Sequence, residues 1–332
     1  MKHTFVSLAA LALFAGCATC NSYDTDDPVV GNWGLKLGYD SMSAAHMIVK
    51  RGANGEAQAS VLWRWASPEP MKNVVLDGEK FSFDHLWGFR VEGEVDGMKL
   101  KAKAYRNDGT VETTVAGWRN PPVCSRFSTY DGRFGDEIDL LAQGMDGWEL
   151  MDPNAKNGWS VREENGTRIL SNALGRGEDG MWGGGGSNLK TKRDDFYDFN
   201  LNYDVRVQKD SNSGVYLRGR YEIQSIDSFG KPVDCHNMGA YYGRVTPSSS
   251  AERPAGEWQH VNVTLYKRHI TVILNGVKII DNAPVTGITG GAIDVNEFVR
   301  GPIYLQGDHS DADYKNMYLR PALDSNPPVP ED

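Results

Sequence analysis

Three features of the chain predict an all-β protein. Apolar and polar residues alternate at period two through most apolar runs. Those runs are short and separated by Gly, Asn, Asp or Pro. No apolar pattern of helical period extends beyond about two turns. The expected architecture is a small antiparallel barrel or sandwich, lipocalin-like in kind, followed by a larger β-sandwich with non-local strand pairing.

The first residues read as an export signal. Met1-Lys-His is a short positive stretch, and Phe5 to Ala15 is an apolar one too short to span a bilayer as a helix. Phe14-Ala-Gly-Cys17 resembles a lipoprotein signal box, so residues 1–16 are expected to be a signal peptide and Cys17 to carry lipid. The alternative is a plain signal peptide cut near Cys20. Residues 17–28 are polar and acidic and read as a tether. The expected location is the bacterial envelope, periplasm or outer membrane, held by the lipid alone; the alternative is a soluble periplasmic protein.

Residues 29–120 carry one run of strand patterns: Asn32-Trp-Gly-Leu-Lys-Leu, His46-Met-Ile-Val-Lys, Ser60-Val-Leu-Trp-Arg-Trp, Asn73-Val-Val-Leu and Lys80-Phe-Ser-Phe. Phe89-Arg-Val-Glu-Gly-Glu-Val then turns at Asp96-Gly97, and the next strand turns at Asn107-Asp-Gly109, both good hairpin signals. No catalytic set is evident here, and His46 and His85 read as structural. Arg119-Asn-Pro-Pro-Val123 breaks the pattern, since paired prolines end a strand.

The second unit is expected over 125–322, with 323–332 a flexible tail. Its glycine run, Gly183 to Gly186, lacks the Lys-Ser/Thr ending of a phosphate loop. Phe199-Asn-Leu-Asn-Tyr-Asp-Val-Arg-Val and Val261-Asn-Val-Thr-Leu alternate without fault, and Asn275-Gly276 marks a type I′ hairpin. His260 and His269 read as structural.

A net charge of −9 argues against nucleic acid, whose binding rewards clustered Lys and Arg. Nine Trp and 14 Tyr suit either sandwich cores or sugar-facing aromatics. With Cys17 lipidated, Cys20, Cys124 and Cys235 form neither a disulfide framework nor a zinc motif, and a Cys124–Cys235 bridge is permitted but not signalled.

The most informative stretch is Asn212-Ser-Gly-Val-Tyr-Leu-Arg-Gly-Arg-Tyr-Glu-Ile-Gln-Ser-Ile-Asp227. Read as two strands, it puts Val215 and Leu217 on one face and Tyr216 and Arg218 on the other, while Glu222 and Gln224 share a face. Aromatic, guanidinium, carboxylate and amide groups over an apolar back suit a polyhydroxylated ligand. Glu222 and Asp227 place two carboxylates where acid/base chemistry can be built. Equally, Arg218 and Glu222 form a mutual ion pair in a purely structural reading.

Six segments resemble the 3-keto-disaccharide hydrolase family over roughly 145–322. In order they are Asn212-Ser-Gly-Val-Tyr-Leu-Arg, Tyr221-Glu-Ile-Gln-Ser-Ile-Asp, His236-Asn-Met-Gly-Ala-Tyr-Tyr-Gly, Gly256-Glu-Trp-Gln, Leu274-Asn-Gly-Val and Gly301-Pro-Ile-Tyr-Leu-Gln-Gly-Asp-His. The resemblance implies a concanavalin-like jelly roll that acts on glycosides already oxidised to a ketone at C3. Such substrates would come from a sugar 3-dehydrogenase. Leu62-Trp-Arg-Trp-Ala-Ser-Pro resembles a domain that sometimes precedes the family domain.

A C3 carbonyl acidifies the C2 proton, so a base can remove it, the C1 substituent can leave, and water can add back. The site then needs a base, a group for the enolate oxygen and an acid for the leaving oxygen. Glu222 is the expected base or acid, with Arg218 and His309 for the oxyanion. His236 and Asp227 complete the candidate catalytic set. Tyr216, Gln224, Gln306 and Asp308 are the expected substrate-binding residues. No organic cofactor is expected; a divalent metal is a weaker expectation, with His236, Asp227, Asp308 and His309 as available ligands. Two alternatives stay open. A laminarinase-type retaining hydrolase would use a Glu-x-Asp-x-x-Glu strand. Glu137-Ile-Asp139 begins that pattern but Ala142 breaks it, and Glu222 to Asp227 keeps its spacing with Gln and Asp substituted. A non-catalytic carbohydrate-binding module would use the same polar patch to hold a glycan.

Overall fold

The computed structural model describes residues 27–123, 133–177 and 180–324. Signal cleavage, lipidation of Cys17, a Cys124–Cys235 bridge and most of the C-terminal tail concern residues outside these.

The first unit is a nine-stranded antiparallel sheet. Its strands are β1 (Gly31–Leu37), β2 (Ala44–Arg51), β3 (Ala57–Trp63), β4 (Glu69–Pro70) and β5 (Lys72–Asp77), then β6 (Lys80–His85), β7 (Phe89–Asp96), β8 (Lys99–Arg106) and β9 (Val111–Asn120). The order β4-β3-β2-β1-β9-β8-β7-β6-β5 is nearly a meander, broken only where β9 returns beside β1. The sheet curls until Met71 N–H donates to Ala59 O at 2.8 Å, which brings the start of β5 against β3 and nearly closes a barrel. Alternate residues Trp33, Leu35 and Leu37 of β1 fill its interior with Phe83, Val91 and Leu100. The cause is the period-two pattern, which sends every second side chain inward.

The second unit is a sandwich. One sheet holds β10 (Ile138–Asp139), β12 (Trp159–Glu164), β13 (Thr167–Asn172), β15 (Phe199–Val207), β18 (Gln259–Tyr266), β19 (His269–Leu274), β20 (Val277–Pro284) and β22 (Ala312–Pro321). The other runs β11 (Trp148–Leu150), β14 (Leu189–Thr191), β21 (Tyr304–Leu305), β16 (Asn212–Leu217) and β17 (Tyr221–Ile226). Leu201, Tyr203 and Val205 of the first sheet meet Val215, Leu217, Ile223 and Leu305 of the second in one core. The protein is thus all-β, with a jelly-roll sandwich preceded by a barrel-like sheet. At Asn275-Gly276 both residues have positive φ, 50° and 85°, as the type I′ turn demands.

The two units share apolar core: Ala44 and Leu62 of the first belong to the sandwich cluster. The segment from Val285 to Gly301 lies between them. Asn32 Nδ2 donates to Thr286 O at 2.6 Å, and Asn120 Nδ2 to the wholly buried Glu297 at 2.7 Å.

Candidate active site

The outer face of the five-stranded sheet builds the site. Tyr216 pairs across to Glu222 on β17 and to Tyr304 on β21, and Gly214 pairs to Gln224. With Val215, Leu217, Ile223 and Leu305 turned into the core, Tyr216, Glu222, Gln224 and Tyr304 must face the other way. They line a small pocket of about 90 Å³. Asn212, Gln306, Asp308, His309 and Tyr242, with Gly290 and Gly291, complete the sandwich's contribution. Tyr242 reaches it because residues 239–242 pair along the outer edge of β17, with Tyr242 N–H donating to Glu222 O at 3.1 Å.

Glu222 is the chemically distinctive group. It is 2 % exposed, and its carboxyl is pushed up to about 8, first by burial and further by the nearby Asp308 charge; the Tyr216 hydroxyl opposes this. Tyr216 Oη lies 2.9 Å from Glu222 Oε2 and 2.7 Å from Gly290 O. Its ring stacks on Tyr304 at 4.1 Å between centroids. Room for the carboxyl depends on Gly214: a Cβ there would stand 2.2 Å from Glu222 Oε1. The amide oxygens Asn212 Oδ1 and Gln306 Oε1 line the pocket without a hydrogen-bond partner among the described residues. Buried acceptors are seldom left so, and ligand hydroxyls would satisfy them. His309 Nδ1 lies 2.6 Å from Asp308 Oδ1, and this bond raises the imidazole above its ordinary value.

Other sequence candidates lie elsewhere. Arg218 does not share the pocket with Glu222. It sits one residue past the end of β16 with φ at 53°, so alternation no longer governs its direction. Its guanidinium is buried against the Tyr197 ring and donates to Tyr221 Oη at 2.9 Å and to Glu297 O. Arg218 therefore neither serves the pocket, as expected, nor pairs with Glu222, as the structural alternative has it. Asp227, beyond β17, accepts from Asp210 N–H and is outside the pocket lining, as is His236. The laminarinase-like start is also remote: Glu137 pairs with Arg320, and Asp139 caps Leu141 N–H.

His236 belongs to a chain of contacts behind the pocket. Its Nδ1 lies 2.5 Å from Asp234 Oδ1 and its Nε2 2.7 Å from Ser67 Oγ, and its ring meets that of Tyr242 edge-on at 5.1 Å. Asp234, Cys235 and His236 are the cluster among the described residues able to offer three metal-binding atoms, and Asp227, Asp308 and His309 do not join it.

Sequence reasoning missed the contribution of the first unit. Met42, Trp65 and Ala66 close one side of the pocket. The β3 pattern suggested a strand through Trp65, but β3 ends at Trp63, and Arg64 and Ala66 adopt φ of 72° and 67°. That kink carries Trp65 onto the sandwich, where Gly291 N–H donates to Arg64 O at 2.8 Å. No local signal announces such a long-range contact. Tyr304 and Tyr242 were legible in principle, since Tyr304 alternates with Gln306 and Tyr242 lies in the His236 motif.

The fold is a jelly roll, and the outer face of its five-stranded sheet carries a pocket of carboxyl, amide and tyrosine groups. The description of 3-keto-alpha-glucoside-1,2-lyase-like domains matches residues 138–320, more than half of the chain, and the chain belongs to that family. It is accordingly a glycoside-acting enzyme. Two solved structures from Parabacteroides distasonis, both assigned provisionally to the glycosyl hydrolases by name, are similar. One shares 24% identity over 59% of this chain and 94% of its own, with a TM-score of 0.42. The other shares 21% over 56% of this chain and 100% of its own, at 0.41. A carbohydrate binding module from Bacillus subtilis is 11% identical, covering 52% of this chain and 95% of its own, at 0.31. No curated protein matches the chain.

Proposed function

We propose that the protein cleaves 3-keto-glycosides by elimination followed by hydration, with Glu222 moving the C2 proton. The single observation that carries this reading is a buried carboxyl, raised to about 8, opening on a family-matched pocket. The Glu222 carboxylate takes the proton from C2, the C1–O electron pair departs with the leaving oxygen, which is protonated, and a C1=C2 double bond forms. Water adds at C1 as a proton returns to C2, so the sum is hydrolysis. A base of raised pKa is well matched to a carbon acid activated by a neighbouring ketone. Near pH 7 the neutral form of Glu222 is favoured, so activity is not maximal there.

Arg218 being elsewhere, the enolate oxygen falls to His309, whose imidazole Asp308 raises above its ordinary value. Tyr242, backed by Ser67, His236 and Asp234, is our candidate to protonate the leaving oxygen. A divalent cation, if one is used, would rest on Asp234, Cys235 and His236; kcat unchanged by exhaustive chelation removes that idea.

The test offers purified protein a plain disaccharide and its 3-keto form in deuterated water. Only the keto form is expected to be cleaved, with deuterium at C2 of the product. Glu222→Gln should lower kcat by about 10²–10⁴-fold with an unchanged circular dichroism spectrum. Cleavage of the plain sugar without C2 exchange would favour a retaining hydrolase. Binding without turnover of either sugar would favour a binding module.

A further inference from the structure

We propose that a cleft on the first unit, floored by Trp65 and Trp87, is the subsite for the leaving sugar of the glycoside. The proposal rests on the functional reading above for the identity of the reacting sugar, but the cleft itself is built independently of it. Trp65 and Trp87 are 43% and 46% exposed, and their rings stack at 5.7 Å and 30°. The parts of the two indoles left uncovered by that stacking form an apolar surface against which the C–H face of a pyranose can rest.

The platform is rigid before any ligand arrives. Arg64 lies over both the Tyr39 ring, at 4.2 Å, and the Trp65 ring, at 4.4 Å, while its guanidinium donates to the carbonyls of Met42 and Ser41. Behind Trp87, His85 meets its ring edge-on at 5.2 Å and stacks on Phe89 at 4.4 Å. Side chains that are already ordered lose little entropy on binding. Arg106, Asn107 and Asp108 line the same cleft and offer donors and acceptors to sugar hydroxyls at its rim.

Adjacency points to the occupant. Trp65 lines this cleft and the Glu222 pocket alike, so the two are neighbours that share one indole wall. A glycoside whose keto ring sits at Glu222 has its C1 substituent as the part that must extend outward. An aromatic floor with a polar rim suits that part being one or more pyranose rings.

The experiment compares kcat/KM for methyl 3-keto-glucoside, whose leaving group is too small to reach Trp87, with that for a 3-keto-trisaccharide. Trp87→Ala should depress the trisaccharide value on the order of tenfold more than the methyl value, the loss expected of a truncated aromatic anchor. Trp87→Phe should recover most of it. Equal losses for both substrates, or none for either, overturn the subsite. A second arm needs no turnover: titration of an unoxidised glucose trisaccharide should quench tryptophan fluorescence in the wild type, and Trp87→Ala should weaken that binding by a similar factor. If no keto-sugar is cleaved yet the titration responds through Trp87, the functional reading fails and the subsite stands. If keto-sugars are cleaved but neither arm depends on Trp87, the subsite fails and the function stands.

Discussion

Tyr216 has one hydroxyl proton and two acceptors within reach, Gly290 O and Glu222 Oε2. When Glu222 is protonated, it can donate to Tyr216 Oη while Tyr216 donates to Gly290 O, and every group is satisfied. When Glu222 ionises, it competes with Gly290 O for the single proton. Burial and the nearby Asp308 charge hold the carboxyl neutral until the pH approaches about 8, while the Tyr216 hydroxyl works against them. A base must be ionised to act, so kcat/KM should rise with pH and level off above about 8. The Tyr216 hydrogen bond favours the ionised form, so Tyr216→Phe should move the rising limb to higher pH. A limb that stays in place or shifts to lower pH would contradict this wiring, and activity falling with pH would make Glu222 the acid instead. At this scale Glu222, Tyr216 and Gln224 were legible because period-two alternation survives to both strand ends. The direction of Arg218 was not, because a left-handed residue just beyond β16 resets it.

The same reset operates at the end of β3, and there it makes the site. Arg64 and Ala66, both left-handed, bend the chain so that the loop after β3 packs on Gly290 and Gly291 of the sandwich. The approach is close: a Cβ on Gly290 would stand 2.4 Å from Ala66 O and 2.9 Å from Trp65 C. Those atoms are backbone and cannot swing aside. Gly290→Ala should accordingly force the two segments apart, costing about 1–3 kcal/mol in denaturant unfolding. Trp65 would be displaced from the pocket, so keto-glycoside kcat/KM should fall as well. Wild-type stability and activity in this variant would mean that the loop contact is looser than drawn. The strands were readable from local pattern, whereas this loop was not, since its conformation is set by a surface more than two hundred residues away in sequence.

At the level of the whole molecule, the family domain is only part of the working unit. Residues 138–320 supply Glu222 and most of the pocket, yet Met42, Trp65 and Ala66 wall it, and Ser67 contacts His236 from the first unit. The join is unlike a flexible linker between domains. Glu297 is fully buried there, accepting from Asn120 Nδ2 at 2.7 Å and from Tyr221 Oη at 3.0 Å, with Arg268 at 3.7 Å. Breaking such a buried charged network by removing a partner typically costs about 3–5 kcal/mol. Ala44 and Leu62 add apolar burial to the same seam. Neither unit can open without exposing both, so calorimetry on the whole chain should show one cooperative transition although the fold has two sheet systems. Asn120→Ala leaves Glu297 short of a donor and should lower that transition or split it in two. Two well-separated transitions in the wild type would mean that the units unfold independently, and that the first unit holds its wall of the pocket by weaker contacts than these.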